Sequence, residues 1–266
     1  MKSRILVAIP LIICSLFIII FDNLFVAVIV SLFALAGTYE VSHVSLDQAF
    51  RPLPIPAYLF AFAFPYILYF FGNKWTFLFF TACFLASAVL VVVRRPSEPE
   101  NIVISLFLYI FPIFQFVCLA LVLFGLDAEK RLAGKLIVFI IPCISDALAY
   151  FVGRKFGKHK LCPSISPKKS VEGAVAGVVS GTLTGVIIVV IQLLTKRVLI
   201  NPFFFVLTCF LCSIFGIFGD LLASLYKRWG NTKDYSNVFK EHGGVMDRLD
   251  SILLCSPVVF LLFSLI

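Results

Sequence analysis

The chain has 266 residues, is 61% hydrophobic and only 14% charged, and has a mean hydropathy of +1.08. A soluble domain runs nearer half apolar and a quarter charged, so one soluble core cannot bury this excess and lipid must solvate most of the surface. The net charge of +8 does not mark a nucleic-acid binder: the cations fall between apolar runs rather than along one solvated face, which suits anionic headgroups or a phosphorylated substrate.

In chain order, apolar runs at 5–21, 24–39, 55–72, 75–93, 102–125, 132–152, 172–195, 199–226 and 252–266 predict an all-α, polytopic transmembrane helical bundle of about nine spans. The first run follows Met1-Lys-Ser-Arg as in a signal peptide. Asp22-Asn23 stands where a small-residue cleavage site would be, so a retained span is expected. Runs two and nine are short for the roughly 20 residues a crossing needs. Pro54, Pro56 and Pro65 predict a kinked or partly re-entrant third run. Residues 1–130 make an N-terminal transmembrane part of about five spans, and 131–266 carries the two longest polar insertions, 153–171 and 227–251. Seven of the eight cysteines lie in apolar runs and read as small hydrophobes; Cys209 and Cys212 have CxxC spacing but no polar neighbours.

Orientation follows from the placement of Lys and Arg. With the N-terminus in the cytoplasm, 16 of the 22 fall on the cytoplasmic side and 6 opposite. The expected topology is therefore N-in and C-out, with both long insertions on the side where nucleoside triphosphates are.

Two carboxylates interrupt apolar helices, Asp146 in the sixth run and Asp220 in the eighth. A charge at a helix centre costs about 2.5–3.5 kcal/mol on insertion scales, and such residues face a polar cavity. Both fall in the cytoplasmic half of their helices. Ser224, Lys227 and Arg228 follow Asp220 at four, seven and eight residues, which lays an acid, a hydroxyl and two cations along one face. Taken alone, Lys227 and Arg228 also read as cations snorkelling at the interface. Further on, Lys233-Asp234 pairs opposite charges, and His242-Gly243-Gly244 joins an imidazole to a turn whose N–H groups can approach an anion. Asp247 and Asp250 share a helical face and, with Asp220, could hold a hard divalent ion such as Mg²⁺ while phosphate oxygens complete its shell. An interfacial loop of ordinary charge pairs is the alternative. No Cys/His zinc spacing surrounds His242, which reads as a structural or hydrogen-bonding group.

In the other insertion, Arg154, Lys155, Lys158 and Lys160 need no more than the positive-inside rule. Ser170 is placed to cap the seventh span, and Lys168 and Lys169 before that helix N-terminus form an anion site. Gly173, Gly177, Gly181 and Gly185 recur every four residues, a stripe for close helix packing rather than a nucleotide loop.

These residues resemble those of the phosphatidate cytidylyltransferase (CDP-diacylglycerol synthase) family. That family's signature runs Ser-x-hydrophobic-Lys-Arg, four residues, Lys-Asp, a short spacer, then His-Gly-Gly-x-x-Asp-Arg-x-Asp. Ser224, Lys227, Arg228, Lys233, Asp234, His242, Gly243, Gly244, Asp247, Arg248 and Asp250 match it at every interval. Gly219-Asp220, the run from Ser166-Pro167-Lys168-Lys169 to Glu172-Gly173, and the set Asp146, Ala149, Tyr150, Gly153 and Arg154 match three further elements. The likeness covers 146–250, and the first 130 residues match only in hydropathy. Two positions depart from the pattern: Tyr226 replaces an aliphatic residue or Phe, and Lys240 stands where Pro or a small residue is usual.

The resemblance implies transfer of a cytidylyl group from CTP to phosphatidic acid, giving CDP-diacylglycerol and pyrophosphate in phospholipid biosynthesis, with Mg²⁺ and room for a second cation. It implies Asp220 and Asp247 as leading metal ligands with Asp146 and Asp250 in support. Lys227, Arg228, Lys233 and Arg248 would bind phosphates, and Lys168 and Lys169 the triphosphate or the lipid headgroup. Ser224 and His242 would position groups, and Gly243 and Gly244 would line the substrate. A CTP-dependent enzyme acting on another lipid or polyprenol acceptor is the alternative. A transporter of an anionic substrate is a third reading, against which stand the lack of repeats and the gathering of polar residues on one side. Expected partners are CTP, phosphatidic acid and membrane lipids, without nucleic acid; a homodimer is left open. With no long hydrophilic N-terminal extension, a bacterial inner membrane is expected, the active site facing the cytoplasm.

Overall fold

The computed structural model describes residues 13–46, 52–94, 100–239 and 243–266, so Lys240 and His242 lie outside the described residues. Helices run over 13–20 (α1), Leu24–Leu46 (α2), Ile55–Phe71 (α3), Asn73–Arg94 (α4), Glu100–Leu108 (α5), Phe114–Ala120 (α6), Ala128–Phe156 (α7), Val171–Leu194 (α8), Pro202–Trp229 (α9) and Met246–Ser264 (α10). α5 meets α6 across a kink within Tyr109–Ile113, and a wider π-turn at Leu121–Gly125 follows α6. Six helical stretches among the described residues are long and apolar enough to cross a membrane: α2, α4, Glu100–Gly125, α7, α8 and α9. At 17 residues α3 is shorter, and α10 opens on Asp247, Arg248 and Asp250. The architecture is that of an all-α, polytopic membrane protein.

The second run differs from what the sequence predicts: as α2 it reaches Leu46 and has 23 residues rather than being short. The third run is one unbroken helix: Pro56 sits in its first turn, where a missing N–H costs nothing, and the helix continues through Pro65. The departure from helical dihedrals comes instead at Phe111 (φ −142°, ψ 108°). The insertion 153–171 also holds an antiparallel hairpin, β1 (Lys160–Cys162) and β2 (Ser166–Ser170), with Lys160 opposite Ser170 and Cys162 opposite Ser166. Its residues show no apolar alternation, because the pairing rests on backbone groups.

The described residues fall into two compact units, those up to Gly125 with those within Lys227–Arg248, and Leu126–Tyr226 with Leu249–Ile266. In the first, α3 packs against both α2 and α4. Phe60 and Phe64 are fully buried and stack at 5.3 Å, and Phe60 meets Phe80 edge-on at 5.3 Å. Tyr109 is buried between Phe80 and Phe84, its hydroxyl donating to Cys83 O at 2.9 Å. That bond matters because an unpaired hydroxyl in such a place would cost about 1–3 kcal/mol.

In the second unit the glycine stripe of α8 lies against α7 and α9. A Cβ at Gly173 would meet Ala149 O at 2.6 Å, and one at Gly177 would meet Ser145 Oγ and O at 3.0 and 3.1 Å. At Gly181 it would collide with Ser213, and at Gly185 it would lie 2.7 Å from Cys209 Sγ. The stripe therefore packs helices, as its spacing predicts. Gly177→Leu is expected to force α7 and α8 apart and to cost about 1–3 kcal/mol. A detergent-solubilised thermal melt reads this, and an unchanged midpoint would contradict the packing role. All eight cysteines are free thiols, and Cys83, Cys118, Cys209, Cys212 and Cys255 are buried as small hydrophobes, with Cys255 Sγ 3.1 Å from Cys212 O.

Candidate active site

The second unit assembles one group of predicted site residues. Lys169, one residue before the end of β2, ion-pairs with Asp220 of α9, Nζ to Oδ2 at 2.8 Å, and lies 3.4 Å from Ile217 O. One turn further along α9, Ser224 Oγ donates to Asp220 Oδ1 at 3.2 Å. Their spacing of four residues puts both on one face. Asp146 of α7 accepts from Ser251 Oγ of α10 at 3.0 Å and lies within electrostatic reach of Lys169 and Asp220. Asp250 accepts from the Ser251 N–H at 2.8 Å. Gly219 lets α10 approach: a Cβ there would sit 2.5 Å from Asp250 O.

The hairpin that delivers Lys169 is anchored at both ends. Ser170 caps α8, its Oγ accepting from Gly173 N–H at 3.2 Å. Glu172 in the first turn of α8 pairs with His159, Oε1 to Nδ1 at 2.7 Å, and also accepts from the His159 N–H. Lys168 is exposed. Of the two lysines placed before this helix end, Lys169 reaches across to α9.

The first unit assembles the other group. Lys227 and Asp247 form a buried ion pair, Nζ to Oδ1 at 2.5 Å, with side chains 11% and 4% exposed. Lys227 Nζ also lies 5.3 Å from the centre of the Tyr235 ring. The second oxygen of Asp247 accepts from the Tyr235 and Gly244 N–H groups, each at 2.9 Å. The anion approached by Gly244 N–H here is thus the chain's own carboxylate. Gly243 has φ +75°, and a Cβ on it would meet Asp247 Oδ2 at 2.6 Å, so only glycine suits this turn.

These contacts separate two cations that the sequence leaves alike. Lys227 is buried and paired, whereas Arg228 is exposed and reaches Thr232 O at 3.4 Å. Lys233 and Arg248 are exposed as well. Among the described residues, no group of three or more His, Cys, Asp or Glu is placed to hold a metal ion by itself.

One member of the first unit's group belongs to no motif. Glu40 of α2 is 1% exposed and accepts from Ser236 Oγ at 2.6 Å and from the Val245 and Met246 N–H groups at 2.9 Å each. The rule that singles out Asp146 and Asp220, a lone carboxylate in an apolar stretch, finds it too once α2 is seen to run to Leu46 rather than to 39.

A family model described as the cytidylyltransferase family matches residues 2–266. The chain is 38% identical over 121 residues to a phosphatidate cytidylyltransferase of Bacillus subtilis, covering 46% of this chain and 44% of that protein. It is 37% identical over 128 residues to one from Aquifex aeolicus (48% and 46%), and 32% identical over 136 residues to one from Thermotoga maritima (50% of each). The chain thus spans about half the length of the curated relatives it matches.

Proposed function

Because the chain belongs to the cytidylyltransferase family, we propose that it transfers the cytidylyl group of CTP to phosphatidic acid, releasing pyrophosphate and forming CDP-diacylglycerol. The observation that carries this reading is the pairing of each leading carboxylate with a motif lysine, Lys169 with Asp220 and Lys227 with Asp247. An oxygen of the lipid phosphate attacks the α-phosphorus of CTP, the bond from that phosphorus to the bridging oxygen breaks, and pyrophosphate leaves. Such a reaction asks the protein chiefly to position reactants and offset charge. Lys169 and Lys227, each held at a carboxylate, supply ammonium groups for the phosphates, with Lys168, Arg228, Lys233 and Arg248 adding exposed cations. Ser224, hydrogen-bonded to Asp220, keeps that carboxylate oriented.

The donors present suit Mg²⁺, which is commonly held by one or two carboxylates together with substrate phosphates rather than by an all-protein cage. In the second unit Asp220 would lead, with Asp146 and Asp250 in support, and in the first unit Asp247 would lead; a bound ion would neutralise charge on the triphosphate.

The nine-span, N-in/C-out topology belongs to the same proposal. Its support is the charge asymmetry of the sequence, together with α1, α3 and α10 beside the six longer stretches. A bacterial cytoplasmic (inner) membrane location, with the reaction on the cytoplasmic side, is part of the same proposal and is supported by the charge asymmetry and by the bacterial relatives.

The test is purified full-length protein with labelled CTP and a panel of lipid phosphates. Mg²⁺-dependent pyrophosphate release with phosphatidic acid, and a labelled lipid product, is the expected result. Release only with a polyprenyl phosphate would favour the other acceptor class, and no release with any acceptor would overturn the proposal.

A further inference from the structure

Glu40 accepts three hydrogen bonds from residues on either side of Gly243 and Gly244. Its carboxylate takes the N–H groups of Val245 and Met246, where α10 begins, and the hydroxyl of Ser236. It also occupies the space into which a Cβ on Gly244 would project. A negative charge at a helix N-terminus is favourable, and these are donors that the helix itself cannot satisfy. The next donor back, Gly244 N–H, goes to Asp247, the residue that holds Lys227. Three consecutive backbone donors, 244 to 246, are thus divided between two carboxylates, and a displacement of one moves the other. An ordinary helix cap would need only a Ser or Asp within the loop. Here the cap reaches in from α2, at the cost of a buried charge.

Resting on the transfer reaction proposed above, we infer that Glu40 is a positioning residue: it fixes the first turn of α10, and with it the Asp247–Lys227 pair, in the geometry that turnover requires. Glu40→Gln keeps the shape but turns one acceptor into a donor facing a backbone N–H.

The experiment uses the full chain in nanodiscs with two independent readouts, amide hydrogen exchange and steady-state kinetics. Exchange at 243–247 should speed up in Glu40→Gln while α7 and α8 keep their rates. The kcat should fall by about tenfold to a hundredfold, with KM for CTP changed less than about twofold. Unchanged exchange, a kcat within about twofold of the parent, or an activity loss matched by loss of folded protein would each overturn the inference. Gly244→Ala supplies a second arm, since its Cβ presses on the Glu40 carboxylate. Its effect on exchange should be smaller in a Glu40→Ala background, and strict additivity would count against the strap. If the parent protein transfers nothing to any lipid phosphate, the proposed function fails by itself, and the exchange arm still decides whether Glu40 holds this segment.

Discussion

Asp247→Asn should abolish measurable turnover, a loss of more than about a hundredfold, while the chain stays folded in detergent with a lowered melting midpoint. The carboxylate accepts three bonds, from Lys227 Nζ and from the Tyr235 and Gly244 N–H groups. Asn replaces one accepting oxygen with a donor and removes the charge. Lys227, 11% exposed at its side chain, is then a buried cation without its counter-charge, and breaking such a pair costs about 3–5 kcal/mol. The cost falls first on the residues that carry the pair and on the Tyr235 and Gly244 N–H groups bonded to it. Size-exclusion chromatography and circular dichroism would show the fold, and pyrophosphate release the chemistry. Near-normal turnover in this variant would falsify the assignment of Asp247 to the site.

Asp220→Asn should lose activity on a similar scale, more than about a hundredfold, but with almost no change in melting midpoint. Its ion pair with Lys169 has side chains 34% and 23% exposed, and pairs open to solvent are worth only about 0–1 kcal/mol. What is lost is placement, since Asp220 orients Lys169 and accepts from Ser224. The contrast is the informative part: one carboxylate variant costs both stability and activity, the other activity alone. A large drop in midpoint for Asp220→Asn would mean that the cluster holds the fold rather than the substrates. Retained activity would remove Asp220 from the proposal.

The membrane architecture was legible because hydrophobic excess and run length are carried by every residue of a span. The helix boundaries were less so: α2 continues past 39 because Glu40 is compensated by donors 205 positions away, and no local pattern announces that. The packing role of Gly173, Gly177, Gly181 and Gly185 could be read from spacing alone, since small residues four apart share one face. The Ser170 cap could be read for the same reason, being a contact three residues long. What the sequence could not show is partnership. Lys169 with Asp220, Lys227 with Asp247 and Asp146 with Ser251 join residues 20 to 105 positions apart. Motif spacing names such residues without saying which pairs touch. The hairpin at 160–170 escaped because strands are recognised by alternating side chains over several residues, and β1 has only three residues, Lys-Leu-Cys, while β2 is Ser-Pro-Lys-Lys-Ser.

The strap from Glu40 to the start of α10 has a consequence for how the protein is made. Its two ends are 205 and 206 residues apart, a separation that takes roughly 10–40 s to synthesise at ordinary ribosomal rates. For that interval α2 has already emerged, while the backbone donors that will satisfy its carboxylate do not yet exist. The Glu40 contacts can form only after the start of α10 has left the ribosome, so this part of the first unit is set well after α2 has been made. A nascent chain truncated before α10 would carry α2 with an acidic side chain still awaiting its partners.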